Sequence, residues 1–335
     1  MKRNQNTPDV PTLLKKFLVE HLMNNQNASP NTISSYRDTL LLFLEYLQKS
    51  HRVRPEKIVL NDLSVKNVVG FLDYLQKERK NSISTRNSRL MVLRSFVNYL
   101  LLVNPTWASD LQGILAIPVK KGMKTQVDYL TKEEIHLILE SPDSKTWVGQ
   151  RDRLLFLLMY NTGARVTEIT EIKVSDVNLD GKGKIHLLGK GRKERSLPLW
   201  KNTARLLKEW IQKNKLSPEN PLFLNKRGKP MTRFVITNRL AVAVKSISKS
   251  LSAIKRKCIT PHMIRHTTAM HFLQAGVDIT TIAMWLGHES IETTQIYVTA
   301  DLEMKEKALK TLQEPTLSGF RYKPSDTLLT FLENL

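Results

Sequence analysis

Apolar residues recur three and four positions apart through the first part of this chain. That rhythm stops between Ile117 and Asp128, before helical spacing resumes near Leu130. Spacing of three and four is the stripe of an amphipathic helix. The interruption, Pro118-Val119-Lys120-Lys121-Gly122-Met123-Lys124, is basic, holds proline and glycine, and has no period. It reads as a linker, so the chain of 335 residues is expected to fold as two domains. Before it, Ser29-Pro30-Asn31-Thr32 has the form of a helix start, a capping residue with proline next to it. Ile33, Tyr36, Leu40, Phe43, Leu44 and Leu47 then make the stripe. Further helices are expected from near Ser64 (Val68, Phe71, Leu72, Leu75) and near Ser84 (Leu90, Leu93, Phe96, Val97, Leu100), the last stopped by Asn104-Pro105. This is a small helical bundle over 1–116, with the linker at 117–128.

Beyond the linker, Thr131 and Glu134 fit a capping box, and an apolar helix runs from about Asp152 to Asn161. A three-stranded antiparallel meander is expected from Val177-Asn178-Leu179, Ile185 to Leu188 and Arg195 to Leu199. Its turns are Asp180-Gly181 and Gly189-Lys190-Gly191-Arg192. The remainder reads as helix, giving a mainly α chain with a small antiparallel β-sheet: a second domain over 129–312 and a tail over 313–335. Within the tail, Ser325 to Leu335 forms a short amphipathic helix.

Charge narrows the partner. Lys and Arg number 52 against 31 Asp and Glu, a net +21. Such an excess favours a polyanion, most often nucleic acid. The start, MKRNQNTPDVP, has no apolar core for a signal peptide, and the longest apolar run, Leu154 to Tyr160, is too short to span a bilayer. The single cysteine, Cys258, excludes an internal disulfide and a cysteine-based zinc site, and is consistent with a reducing cytoplasm. No membrane partner, metal or cofactor is expected.

Opening a phosphodiester without metal or nucleotide needs cations on the phosphate oxygens, a nucleophile held in line and a proton donor for the leaving oxygen. Arginine suits the first task, since its fork grips two oxygens at once. Four places supply such groups. In Thr162-Gly163-Ala164-Arg165-Val166-Thr167-Glu168, Arg165 opens a helix and Glu168 follows one turn later; alone, such a pair is ordinarily a surface ion pair. Lys190 lies between glycines in a hairpin turn, where lysine is usually just solvated. In Thr260-Pro261-His262-Met263-Ile264-Arg265-His266, His262 and Arg265 share a face near a helix N-terminus, which suits an anion. Leu286-Gly287-His288 precedes Tyr297, and Ser290 can cap the helix that carries this tyrosine, which taken singly would be read as core.

Taken together and in this order, these residues resemble the tyrosine recombinase family, the phage-integrase and Xer-type enzymes. The stretch Thr260 to Thr299 is similar to that family's signature almost throughout, and Ser29-x-x-Thr32-x-x-x-Tyr36 resembles its N-terminal, SAM-like core-binding domain. The resemblance implies a two-domain C-shaped clamp. Tyr297 would attack the scissile phosphate to give a 3′-phosphotyrosine, with Arg165 and Arg265 clamping the phosphate. Lys190 would protonate the 5′ oxygen, His262 would transfer protons, His288 would bond the phosphate, and Glu168 would orient its neighbours. It further implies double-stranded DNA with inverted-repeat core sites, Holliday-junction exchange by a homo-tetramer joined through the tail, and a nucleoid-associated protein. Arg86, Arg89 and Arg94 would lie near the major groove, with Lys121 and Lys124 along the linker. The strip Lys193, Arg195, Lys245, Lys249 and Arg256 would be partly a phosphate track, or only a solvated surface. His266 and His271 are read as packing or helix-face residues and Trp285 as core. The lead before Ser29 is too short for an additional arm-binding domain. A mobile-element integrase or transposase is favoured over Xer-type dimer resolution or inversion, and over a type IB topoisomerase or a non-catalytic regulator.

Overall fold

In the computed structural model the chain divides into two compact units, Met1–Lys124 and Thr125–Leu335. The structure describes residues 9–122, 128–189, 193–248, 254, 257–288, 290, 293–295 and 297. The first unit is helical. Helix α1 (Val10–Lys16) runs directly into a wider π-helical stretch at Phe17–Asn25, followed by α2 (Pro30–His51), α3 (Val65–Lys77), α4 (Ile83–Val103) and α5 (Ala108–Leu115). Side chains of Asp9, Ser29, Ser64 and Ser82 accept from the first-turn amides of α1 to α4, satisfying donors that a helix start otherwise leaves open. Helix α4 therefore begins one residue before Ser84, with Ser82 rather than Ser84 as its cap.

Phe43, Phe71, Leu72, Leu75, Leu90 and Leu100 form the core of this unit, as their spacing required. The segment ahead of Ser29 belongs to the same core: Phe17 is fully buried, its ring 5.2 Å from Phe96 and 5.3 Å from Tyr99. The first part of the expected linker is also fastened here. Ile117 is buried, Arg94 donates to its carbonyl, Arg86 donates to the Pro118 carbonyl, and Asn87 exchanges bonds with the backbone of Lys120. These are side-chain bonds to a non-repeating backbone, so the stretch holds its place without any apolar period.

The second unit comprises α6 (Lys132–Glu140), α7 (Trp147–Thr162), α8 (Val166–Glu171), the strands β1 (Val177–Asn178), β2 (Lys184–Leu188) and β3 (Glu194–Pro198), and then α9 (Lys201–Lys213), α10 (Arg233–Ile247), α11 (Pro261–Gln274) and α12 (Ile279–Leu286). Residues 293–295 and 297 are also helical. The sheet is antiparallel in the order β1-β2-β3, with Val177 opposite Ile185 and Leu187 opposite Arg195. Ile185 and Leu187 point into the core while their neighbours face out, the period of two that a half-buried strand requires. Helix α7 is the hub. Leu154, Leu155, Phe156, Leu158 and Met159 are all buried, and α9 and α11 pack against it. Among the described residues no helix is long and apolar enough to cross a membrane.

Candidate active site

Helix α7 ends where Gly163 takes the left-handed conformation (φ 59°), and α12 ends the same way at Gly287 (φ 66°). A side chain at either position would be strained. At Gly163 a Cβ would also stand 2.6 Å from the Leu286 Cδ2, so the two helix ends abut. Arg265, on α11, is buried between them, its Nη1 donating to the Gly163 carbonyl at 2.8 Å and its Nη2 to the Leu286 carbonyl at 2.7 Å. Burial, then the charge of Arg165, brings its pKa down to about 10, which still leaves it a cation at neutral pH.

Arg165 caps α8. Its backbone amide donates to Glu168 Oε2 (2.7 Å), its Nη1 to Glu168 Oε1 (3.0 Å) and its Nη2 to the Gly287 carbonyl (3.1 Å). A second guanidinium holds the same carboxylate: Arg195, on β3, reaches Glu168 at 2.7 and 3.1 Å and donates through Nε to the Trp285 carbonyl at 2.9 Å. Burial alone would raise the Glu168 pKa, but bonds from Arg195 and Arg165 hold it below the usual carboxylate range. Arg165 and Arg195 thus share one carboxylate, Arg265 is held beside them by two backbone carbonyls, and the site carries a net positive charge suited to a phosphate.

The histidines and the tyrosine close the other side. His262 is exposed on the first turn of α11, and partial desolvation, then the charges of Arg265 and Arg165, keeps its pKa below the usual histidine value. Its ring stands edge-on to that of His266, centroids 4.3 Å apart. His266 Nδ1 lies 2.8 Å from the hydroxyl of Tyr297, which is 2% exposed. His288 bonds Thr294 Oγ1 through Nδ1 (2.8 Å) and lies parallel to the Tyr297 ring at 6.4 Å. Burial, with neighbouring cations adding to it, pushes His266 and His288 down to about 4, so both are neutral at pH 7. Burial raises Tyr297 to about 12 against the pull of Arg265 and Arg165, and its phenol keeps its proton. Among the described residues no group of His, Cys, Asp and Glu could hold a metal ion.

The sequence profile of the phage integrase family matches residues 128–304, and that of its N-terminal SAM-like domain matches residues 14–103. The chain belongs to the phage integrase family. These are the tyrosine recombinases, site-specific DNA strand transferases. A putative integrase/recombinase, y4rC of Sinorhizobium fredii, is 38% identical over 96% of this chain and 97% of its own length. Tyrosine recombinase XerD of Listeria innocua is 33% identical over 85% of this chain and 93% of its own. Among solved structures, the XerH site-specific recombinase bound to a palindromic difH substrate superposes with a TM-score of 0.68 at 26% identity, covering 90% of this chain and 84% of that one.

Within this tyrosine recombinase, Arg165, Glu168, His262, Arg265, His288 and Tyr297 come together at one place. Lys190 lies outside the described residues, but the base of its hairpin does not. Gly189 N donates to the Lys193 carbonyl at 2.7 Å, and a Cβ on Gly189 would be 3.4 Å from Glu168 Oε1. Gly189, at the end of β2, therefore lies beside Glu168. Two residues were read differently from sequence. His266 was expected to pack, yet it bonds the Tyr297 hydroxyl; its place one helical turn after His262 was the available signal. Arg195 was set among candidate phosphate contacts, but its side chain is 10% exposed and joins β3 to α8 and α12. His271 is buried as expected and bonds the Tyr160 hydroxyl at 2.7 Å. Trp285 is partly buried, with its ring 5.0 Å from that of Phe272.

In the first unit, Arg86 is buried, its Nη1 engaged by Asn87 Oδ1 and the Pro118 carbonyl. Arg89 donates to Thr39 Oγ1, and Arg94 to the Ile117 carbonyl. Lys121, Lys193 and Lys245 are exposed. Lys124, Lys249, Arg256 and the tail 313–335 lie outside the described residues.

Proposed function

We propose that this tyrosine recombinase cuts and rejoins double-stranded DNA at inverted-repeat core sites through Tyr297. The observation that carries the reading is a tyrosine hydroxyl held in a buried, cation-rich place where three arginines stand near a single carboxylate that pairs with two of them. Tyr297 Oη bonds to the scissile phosphorus as the bond to the 5′ oxygen breaks, leaving a 3′-phosphotyrosine. Arg165 and Arg265 hold the non-bridging oxygens. Each has two of its five N–H donors engaged by the bonds described above, which leaves others for phosphate. Lys190 protonates the departing 5′ oxygen, His262 transfers protons at the phosphate, and His288 donates to it. Four copies, joined through the tail, exchange strands by way of a Holliday junction. The likeness to XerH bound to DNA and the net charge of +21 support the DNA partner. The reading places the protein in the cytoplasm, on the nucleoid.

The near full-length likeness to a putative integrase/recombinase favours a mobile-element integrase or transposase. Kinship with XerD supports chromosome-dimer resolution as a second reading. The test of recombination is a supercoiled plasmid bearing two copies of a site that the protein itself selects from a randomised duplex pool. Recombinant circles and four-way junctions are expected from the natural protein, and neither from Tyr297→Phe. Relaxed plasmid without recombinants would instead mark a topoisomerase.

A further inference from the structure

Helix α11 carries two histidine–tyrosine pairs, and the contrast between them is informative. His271 and Tyr160 are bonded at 2.7 Å, with Tyr129 edge-on to the histidine and Trp200 beside the tyrosine. Among the described residues no guanidinium bears on either member, and satisfying a half-buried phenol is enough to explain the pair. His266 and Tyr297, bonded at 2.8 Å, sit among reactive groups instead. Arg265 and His262 of the same helix bear on His266, Arg265 and Arg165 bear on Tyr297, and His288 from the end of α12 lies parallel to the Tyr297 ring. Among the described residues, His266 is the group whose hydrogen bond reaches the tyrosine hydroxyl.

The geometry points to His266 as the base for the nucleophile: its Nδ1 holds the Tyr297 hydroxyl before DNA arrives and takes its proton when that oxygen attacks phosphorus. The inference rests on the proposed role of Tyr297 and reassigns one proton, leaving His262 to serve the phosphate. In the cut, the phenolic proton passes to His266 Nδ1 as the Oη–P bond forms, and the P–O5′ bond breaks with O5′ protonated by Lys190. In rejoining, the 5′-hydroxyl returns its proton to Lys190 as it attacks, and imidazolium His266 protonates the departing Tyr297 Oη. Without DNA the transfer is strongly uphill, because burial and the adjacent cations keep His266 neutral, and burial keeps the phenol protonated against the pull of Arg265 and Arg165. A phosphate diester seated on Arg165 and Arg265 cancels part of the field that disfavours a charged His266. The same anion weakens the pull of Arg265 and Arg165 on the phenolate, so the proton leaves Oη only as the bond to phosphorus forms, where the scissile phosphate is bound.

His266→Asn places an amide oxygen near the former Nδ1, so it can still accept from the phenol but cannot take the proton. On a nicked duplex carrying the selected half-site, single-turnover formation of covalent complex should fall about 100-fold or more, the size of a lost general base. Half-site binding and melting temperature should match the natural protein. The residual rate should climb about tenfold per pH unit up to pH ~9, as hydroxide replaces the base, while the natural protein levels off. His271→Asn should cleave normally. Cleavage by His266→Asn within threefold of normal overturns the inference, and so does a slow variant with an unchanged pH profile, which would mark an orienting contact alone. Should that variant not fold, nitrogen-15 NMR of the natural protein decides: the account requires the proton on His266 Nε2, and a proton on Nδ1 contradicts it. Failure here is separable from failure of the proposed function, since covalent complex formed by Tyr297→Phe would overturn the latter whatever His266 does.

Discussion

Glu168 sets the geometry of two arginines at the candidate site. Its two oxygens hold Arg165 and Arg195, and its side chain is 2% exposed. Removing one partner of a buried ion pair leaves the other charge uncompensated, at a cost of about 3–5 kcal/mol. Glu168→Gln keeps the shape and loses the charge. It should lower the melting temperature by several degrees and slow covalent attachment while Tyr297 remains in place; a variant as stable and as fast as the natural protein would show that the carboxylate matters little. Arg165 and Glu168 were legible from sequence because they are three apart at a helix start. Arg195 was not, since its partners lie 27 and 90 positions away in the chain. The His266–Tyr297 bond spans 31 positions and was hidden for the same reason.

Elements were legible wherever a local signal fixed them. The caps at Ser29, Ser64, Thr131 and Thr260 all appear in the structure, as does the meander, because capping, period and turn chemistry act within a few residues. Tertiary context fixed the rest. Helix α7 begins at Trp147, ahead of the expected Asp152, because Thr146 caps it and the carbonyl of Asp143 crosses Gly149, where a Cβ would stand 1.9 Å away. The abutting ends of α7 and α12 invite a direct test. Gly163→Ala puts a methyl group into a left-handed residue and against Leu286, with strain of about 1–3 kcal/mol. Calorimetry should show that destabilisation, and the covalent-attachment rate should fall as the Gly163 carbonyl shifts away from Arg265. An unchanged melting temperature would mean that the two ends move apart freely.

At the scale of the whole molecule, a strongly basic two-unit chain places one tyrosine near three guanidiniums, two of them paired with one buried carboxylate. Charge announced a polyanion, and the order of Arg165, His262, Arg265, His288 and Tyr297 announced the chemistry. How burial divides protons among the histidines and Tyr297 needed the folded chain. The central claim is that DNA becomes covalently joined to Tyr297, and mapping the attachment tests it most directly. Covalent complex trapped on the nicked half-site duplex is digested with protease and nuclease, and the nucleotide-bearing peptide is sequenced by mass spectrometry. The account predicts one modified residue, Tyr297, carrying a 3′-linked nucleotide, with a free 5′-hydroxyl on the released strand. Attachment at another residue, or a link through a 5′ phosphate, would contradict it.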